Sequence, residues 1–504
     1  MRVGLPLRFL NRQDGAILLS AWAWLGATGW MRPLMLPDEG RYVGVAWEML
    51  QSGQWLTPTL DGLPFFHKPP LFYWITAAAL AVGEPGEWAA RLAPLLGAGI
   101  GATALYVFTV RWAGRELARR ALLALLAQPL FYLGGQFANL DMLVAGCITA
   151  TVLLMAHAAL CLETGQPWRP ALMAGHAMAA LGVLAKGLIG VVLPALVLLA
   201  WLAATRRLRL LPRLLSVPGL ALLALIAVPW FVVMQQRYPG FLDYFFVVQH
   251  VKRFAEGGFN NVQPAWFYPA LMLLVFLPWL PWLWRPGSPA GAAPSLRWLM
   301  LLWAGVVVAF FSLPHSKLVG YVLPAVPPLA WLAADGLHAS GWRPRAWLAV
   351  TLVTASIGPG IAIGLALHPV RTNEPLGRSL RAVHRAGEPV VMLGAYLYDL
   401  PFHARLAEPA VVVDDWGSPG FAQRDDWRKE LADAARFAPA QAARQLVRPE
   451  ALDATLCAAP VSWVIGRADQ AAGRPLLGGS AVIAESGGLR MWRVATACSR
   501  IPTA

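Results

Sequence analysis

Charged residues are scarce in this sequence, and lysine is the scarcest of the basic ones. Only 13% of the 504 residues are charged, whereas 58% are hydrophobic, a balance outside the range of soluble globular proteins. The basic residues lie in short loops between apolar runs rather than in one tail. The net charge of +14 therefore indicates positive-inside membrane topology and not a nucleic-acid partner.

Motifs for cytosolic nucleotides and for zinc clusters are missing. The loops contain no Walker A, G-x-G-x-x-G or D-x-D motif, which argues against a nucleotide-linked donor presented from the cytosol. Cys147 and Cys161 lie about 21 Å apart along one predicted helix and cannot bridge, whereas Cys457 and Cys498 could pair if the C-terminal region is extracytoplasmic. The first apolar run is too long for a cleavable signal peptide.

Apolar runs of bilayer length predict about 11–13 transmembrane helices. The runs are 15–36, 89–110, 118–137, 140–161, 171–185, 187–204, 214–235, 266–284, 298–313, 318–340 and 346–368. The run 69–83 begins with two prolines and is short, so we interpret it as a helix on the outer interface.

Arginine-rich loops alternate with the other connections and set the orientation. The connections 37–88, 138–140, 236–265 and 314–317, the turn at Lys186 and the chain after residue 369 are predicted to face outward. Short β-rich runs follow residue 369, with helix-like segments such as 424–437 between them; the runs are 389–394, 410–415, 461–466 and 489–494. We predict a polytopic α-helical membrane protein, with a transmembrane domain over 1–369 and a small extracytoplasmic α/β domain over 370–504.

This topology gathers cations on the outer side. Four of the five lysines lie there, namely Lys68, Lys186, Lys252 and Lys317. A lysine is a compact point charge that, with Arg253, could hold a phosphate, although each could instead be an interfacial anchor. Tyr42, Tyr321 and neighbouring aromatics could stack on sugar rings or form an interfacial belt.

Carboxylates lie at the same predicted depth. Asp38 and Glu39 follow the first apolar run, and Asp141 begins a later one. Two such acids could flank a reacting centre and stabilise an oxocarbenium-like transition state; a solvated turn for Asp38 and helix capping by Asp141 are the structural alternatives. His67 and His250 could bind a divalent metal, but the sequence requires no cofactor.

An ordered set of motifs carries a family resemblance. The motifs are PDEGRY, SGQWLTPTLDGLPFFHKPPLFYW, NLDM, LAKG, QHVKRFA and FFSLPHSKLVGYVLP. In order and spacing they resemble the bacterial lipid A 4-amino-4-deoxy-L-arabinose transferases, and more broadly the polyprenyl-phosphate-sugar glycosyltransferases that include protein O-mannosyltransferases. The resemblance covers roughly residues 10–340 and weakens in the tail.

The resemblance implies a GT-C fold, an undecaprenyl-phosphate-linked sugar donor and inversion at the anomeric carbon. It implies that Asp38 is the essential acid, Asp141 a second acid and Lys68 a contact of the lipid phosphate. Further family positions are Arg41, Tyr42, Lys186, His250 and Tyr321. His67 stands where the aminoarabinose transferases usually have glutamate, so an imidazole replaces a carboxylate that could bind a metal.

We therefore expect an inverting glycosyltransferase of the bacterial inner membrane that works on the periplasmic face. Its acceptor would be lipid A or another envelope molecule. One alternative is a protein hydroxyl acceptor, as in protein O-mannosyltransferase-like enzymes, where a base must remove a proton. Another is a transporter or lipid-binding protein, since intramembrane charges also mark permeation paths, but the spans show no duplicated halves.

Overall fold

The computed structural model describes residues 10–252, 261–283, 294–340, 344–418 and 426–495. Up to residue 367 these residues are almost entirely helical. The helices are Arg12–Gly26 (α1), Asp38–Ser52 (α2), Leu71–Leu80 (α3), Glu87–Ala90 (α4), Leu92–Ala113 (α5), Arg115–Leu126 (α6), Pro129–Gly134 (α7), Leu140–Glu163 (α8), Arg169–Lys186 (α9), Ile189–Ala204 (α10), Leu211–Leu214 (α11), Val217–Arg237 (α12), Phe267–Val275 (α13), Leu280–Leu283 (α14), Pro294–Ser312 (α15), Val326–Ser340 (α16) and Pro344–Leu367 (α17). Shorter 3-10 turns and a π-helix, Asp243–Lys252, complete this part.

Five helices are long and apolar enough to cross a membrane within the described ranges: Leu92–Ala113, Leu140–Glu163, Val217–Arg237, Pro294–Ser312 and Arg345–Leu367. The chain is a multi-pass membrane protein. Other predicted spans are shorter or interrupted. The run 118–137 is broken before Pro129, where Gln128 is extended, because proline disfavours helical geometry at the residue before it. The two short helices predicted around Lys186 are confirmed as α9 and α10.

Close contacts between small residues fix the start of α8. This helix is the most buried of the five, with 89% of its apolar window inside the protein. A Cβ at Gly97 on α5 would meet the backbone of Met142, and one at Gly146 would meet Gly97. Glycines let membrane helices approach this closely. The packing therefore holds Asp141, in the first turn of α8, in one place.

A six-stranded mixed sheet and its helices form the C-terminal part, which we call the sheet domain. A two-stranded hairpin between α2 and α3 supplies the first two strands of the chain. All strands, in chain order, are Thr59–Leu60 (β1), Leu63–Pro64 (β2), Val390–Leu393 (β3), Val411–Val413 (β4), Leu446–Val447 (β5), Val461–Arg467 (β6), Ala481–Ser486 (β7) and Leu489–Ala495 (β8). The six strands of the sheet lie in the order β5-β4-β3-β6-β8-β7. The helices of this part are Glu374–Val383 (α18), Leu400–Ala404 (α19), Trp427–Ala435 (α20), Pro439–Gln445 (α21), Leu452–Cys457 (α22) and Pro475–Gly478 (α23).

The four strands predicted in the tail are confirmed, and so is a helix within 424–437. The prediction missed β5, which has two residues, and β7, which is largely exposed and lacks a clean apolar alternation. Cys147 and Cys161 are free thiols, as expected. Cys457 is disulfide-bonded, and Cys498 lies outside the described residues.

The turn between β1 and β2 carries a buried acid against the sheet. Asp61 is 1% exposed, has a φ of 52°, and accepts a hydrogen bond from the Ala410 backbone nitrogen at 2.8 Å. Glu48 on α2 accepts from the backbone nitrogens of Asp61 and Gly62. Burial, followed by the nearby Glu48 charge, raises the pKa of Asp61 well above its usual value, and burial raises that of Glu48 to about 7.

Replacing Asp61 by Asn is expected to stabilise the protein increasingly as the pH rises. The raised pKa keeps the Asp61 carboxyl protonated in the folded protein, whereas the same carboxyl ionises at about pH 4 in the unfolded chain. The free energy of unfolding that this proton contributes is fully present below that pH. It is lost, by about 1.4 kcal/mol per pH unit, as the pH rises towards the folded-state pKa. Asn does not titrate and tolerates the left-handed backbone. The difference in Tm between variant and wild type should widen from about pH 5 to about pH 8; a constant difference would contradict this.

Candidate active site

A cavity of about 240 Å³ lies where the start of α2, the segment between α2 and α3, the start of α8, the end of α9 and the sheet domain meet. Its lining residues are Pro37, Asp38, Arg41, Tyr42, Phe65, His67, Lys68, Asn139, Leu140, Asp141, Lys186, Asn261, Leu318, Tyr321 and Glu430. Eight of these are residues that the sequence singled out. Positions nearly 400 residues apart in the chain therefore converge on one polar space.

Asp38 and Arg41 form one side of the cavity. Asp38 begins α2 directly after Pro37, where the helix dipole favours a carboxylate. Arg41 donates from Nη2 to Asp38 Oδ1 at 2.5 Å, and the Asn139 amide donates to Asp38 Oδ2 at 3.4 Å. The Asp38 side chain keeps 25% of its surface exposed. Its carboxylate is thus held in place and still accessible from the cavity.

Glu430 reaches this side from the sheet domain. It lies on α20 and forms an ion pair with Arg41, and Tyr398 Oη donates to its Oε2 at 2.6 Å. Arg41 therefore bridges Asp38 and Glu430, with its guanidinium 4.9 Å from the centre of the Tyr42 ring. The sheet domain contributes a side chain to the cavity and does not only cover it.

Asp141, Lys186 and Tyr321 form the other side. The α8 N-cap is Asn139, whose side chain accepts from the Asp141 backbone nitrogen at 2.9 Å. The capping alternative for Asp141 is therefore wrong, because its carboxylate instead forms an ion pair with Lys186. Lys186 Nζ also lies 4.2 Å from the centre of the Tyr321 ring, a favourable cation–π arrangement. A Cβ at Gly320 would collide with the Asp141 carboxylate.

His67 and Lys68 line the cavity from the segment between α2 and α3. The His67 ring stacks on Phe65 with centroids 4.5 Å apart and lies 6.1 Å from the Tyr244 ring. Pro69 and Pro70 follow Lys68 and lead into α3, so the backbone that carries Lys68 is stiff. A metal on His67 and His250 stays a prediction, since the His250 side chain lies outside the described residues. Lys252, by its side chain, and Arg253 lie outside them too.

Glu39 does not line the cavity, although it adjoins Asp38 in the chain. It is 0% exposed and accepts from Arg91 at 2.8 Å, from Arg32 at 2.5 Å and from the backbone nitrogens of Met35 and Ala138. Although burial opposes ionisation, Arg91 and Arg32 lower the pKa of Glu39 to about 2. We therefore interpret Glu39 as a permanently charged anchor of the site and not as a catalytic acid.

Lys317 is also placed outside the cavity lining. It is 4% exposed, and its Nζ donates to the backbone oxygens of Gln263, at 2.9 Å, and Pro314. These bonds join two segments of the chain that are distant in sequence. We therefore interpret Lys317 as a structural residue, and not as the predicted contact of a substrate phosphate.

The cavity thus has two acid–cation pairs facing one space, with Lys68 beside them. Three carboxylates (Asp38, Asp141, Glu430) and three cations (Arg41, Lys68, Lys186) line it. Such a set can bind an anionic group through charge-assisted hydrogen bonds and stabilise positive charge that develops next to it.

The sequence reasoning missed Asn139 and Glu430. Asn139 had a signal, because it precedes Asp141 in the N-L-D motif at a helix start.

Comparisons with known proteins give the family. The model of the dolichyl-phosphate-mannose-protein mannosyltransferase family matches residues 34–245. The chain is similar to the undecaprenyl phosphate-alpha-4-amino-4-deoxy-L-arabinose arabinosyl transferase of Pseudomonas savastanoi pv. phaseolicola. The two are 32% identical over 393 residues, and the match covers 74% of this chain and 72% of that relative. It is 34% identical over 314 residues to a Sodalis glossinidius transferase of the same name, covering 60% of this chain and 55% of that relative.

A solved structure supports the same fold. The crystal structure of ArnT from Cupriavidus metallidurans bound to undecaprenyl phosphate matches with a TM-score of 0.80, covering 95% of this chain and 98% of that one, at 23% identity. The predicted GT-C membrane fold is confirmed. The similarity to named arabinosyl transferases shows that the chain is a glycosyltransferase. The chain belongs to the family of undecaprenyl phosphate-alpha-4-amino-4-deoxy-L-arabinose arabinosyl transferases.

Proposed function

We propose that this enzyme transfers 4-amino-4-deoxy-L-arabinose, or a closely similar sugar, from undecaprenyl phosphate to lipid A or another envelope acceptor. The reaction would take place at the periplasmic face of the inner membrane and invert the anomeric carbon. One observation carries the proposal: Asp38, Lys68, Asp141 and Lys186, from four separate motifs that carry the family resemblance, line one cavity. The names of the relatives supply the donor and the sugar.

The cations would hold the donor phosphate. Lys68 supplies a point charge from a stiff proline-flanked segment, and Lys186 also lines the cavity. When the bond between the anomeric carbon and the phosphate oxygen breaks, the electron pair stays on undecaprenyl phosphate. Nearby cations stabilise that leaving group, so a strong general acid is not needed.

Asp38 would act next to the anomeric carbon. If the acceptor is a lipid A phosphate, its oxygen is already anionic and forms the new bond without losing a proton. Asp38 then orients the reacting groups and stabilises the oxocarbenium-like charge. If the acceptor is a hydroxyl, Asp38 takes its proton as general base. Arg41 and Glu430 fix the carboxylate in either case.

The sheet domain would take part through Glu430. Its carboxylate holds Arg41 from the side opposite Asp38, and Tyr398 in turn holds Glu430. Removing the Glu430 charge would leave Arg41 paired with Asp38 alone and draw the guanidinium towards it. Glu430 is therefore a positioning residue that acts through Arg41.

Purified full-length enzyme supplied with undecaprenyl-phosphate-linked aminoarabinose and lipid A tests the proposal. Mass spectrometry should show lipid A that has gained one aminopentose. Parallel reactions replace the donor by polyprenyl-phosphate mannose, or the acceptor by a serine-containing peptide. Sugar transfer to the peptide alone would overturn the lipid acceptor, and use of the mannose donor alone would overturn the sugar. Heat-denatured enzyme is the blank.

A further inference from the structure

A second cluster of ligating side chains lies at the junction of the outer loop and the sheet domain. Glu87, Glu374 and His403 each offer one ligand atom, and these atoms all lie within 4.8 Å of one another. Glu87 begins α4, Glu374 begins α18 and His403 lies on α19. None of the three lines the cavity described above. We call this set the junction cluster.

The histidine of the junction cluster is buried in an unusual state. His403 is 6% exposed, and its Nε2 is buried with no hydrogen-bond partner among the described residues. Asp399 Oδ2 is 3.9 Å away, beyond hydrogen-bond distance. A buried polar atom without a partner is costly and needs an explanation. Burial, followed by the charges of Arg378 and Arg405, lowers the pKa of His403 to about 3, so the imidazole is neutral, as a metal ligand must be.

The two carboxylates of the cluster lie close together, and each offers one oxygen to the set. Burial raises the pKa of Glu374 and the charge of Glu87 raises it further, while Arg378 lowers it. Arg378 Nη2 lies 2.5 Å from Glu374 Oε1, but its side chain is 74% exposed. An ion pair that is this open to water is weak. It can be displaced by a cation that binds both carboxylates.

We propose that Glu87, Glu374 and His403 bind a divalent transition metal, of which zinc fits best. One imidazole nitrogen and two carboxylate oxygens leave a fourth tetrahedral position for water, which is a common zinc arrangement. Calcium and magnesium prefer ligand sets made of oxygen alone. This inference is independent of the sugar, the lipid and the acceptor.

The bound metal would act as a clamp. It would join the end of the outer loop to two helices of the sheet domain, at a junction where Arg405 already donates to the Pro85 backbone oxygen. The outer loop carries Asp38 and Lys68, and the sheet domain carries Glu430. Holding the two together would therefore keep the cavity assembled.

Zinc binding to the purified full-length protein in detergent, after removal of metals with a chelator, tests the proposal. Isothermal titration with zinc chloride and metal analysis after gel filtration should show one zinc per chain that disappears in both Glu87→Gln and Glu374→Gln. The zinc affinity of each variant should fall at least about tenfold, which is the smallest loss usually seen when the groups around a bound metal are changed. Tm should rise with zinc concentration in the wild type and in neither of the two glutamate variants.

Two further variants make the result specific. Arg378→Gln removes the competing cation and should bind zinc more tightly than the wild type. His67→Gln changes the histidine at the other predicted metal position and should leave the junction zinc bound. Equal zinc content and affinity in the wild type, Glu87→Gln and Glu374→Gln would overturn the proposal, as would loss of the zinc in His67→Gln alone. The two glutamates are changed rather than His403, because His403 is buried and its replacement would also disturb the packing.

Discussion

Replacing Asp38 by Asn is expected to reduce sugar transfer by at least about 100-fold, the range in which loss of a positioned acid–base or charge-stabilising group falls. Asn keeps the shape and the hydrogen bond from Arg41 Nη2 but removes the negative charge that we propose acts next to the anomeric carbon. The loss should appear in kcat more than in KM for the donor, because the charge acts mainly on the transition state. Initial rates with the lipid-linked donor measure it.

Two comparison variants define this result. Glu430→Gln should cause a smaller loss, because Asp38 remains and only the second partner of Arg41 is removed. Asp469→Asn breaks a surface pair with Arg467 in which the Asp469 side chain is 63% exposed, and transfer should be unchanged. Normal turnover by folded Asp38→Asn enzyme would rule out the role given to Asp38. A Glu430→Gln loss as large as that of Asp38→Asn would mean that Glu430 contacts the substrate itself.

Sequence motifs predicted most of the cavity because polar residues beside a bilayer have few inexpensive structural roles. Asp38, Lys68, Asp141 and Lys186 all lie in it. Adjacency in the chain misled the prediction at Glu39. Successive residues of a helix point about 100° apart, so Asp38 faces the cavity while Glu39 faces the buried Arg32 and Arg91.

Contacts between distant parts of the chain were beyond the sequence patterns. Glu430 lies in the tail, where the family resemblance weakens, on an amphipathic helix whose pattern predicts burial but not a partner 389 positions away. The sequence pattern grouped Lys317 with the cations predicted to face outward. Its hydrogen bonds to two backbone carbonyls depend on a loop conformation that the position of Lys317 in the chain does not reveal. Tertiary packing decided both cases.

Neutralising Asp141 and Lys186 singly and together should separate folding from catalysis. The pair is largely buried, with 8% and 13% of the side chains exposed, and breaking a buried pair from one side costs about 3–5 kcal/mol of unfolding free energy. Asp141→Asn and Lys186→Met should each lower Tm and reduce transfer by at least about 100-fold. The double variant leaves no unpaired charge, so its Tm should recover in part. Its transfer rate should stay as low as those of the single variants.

A matched pair away from the cavity gives the control for this cycle. Arg297 on α15 pairs with Asp335 on α16, with 20% and 3% of the side chains exposed. Arg297→Met and Asp335→Asn should lower Tm without a comparable loss of transfer per folded molecule. If the Asp141→Asn and Lys186→Met double variant regained transfer together with Tm, the pair would serve only to hold α8 and α9 together. Recovery of Tm without recovery of transfer would instead show that the two charges act on the substrate, because the fold no longer needs them.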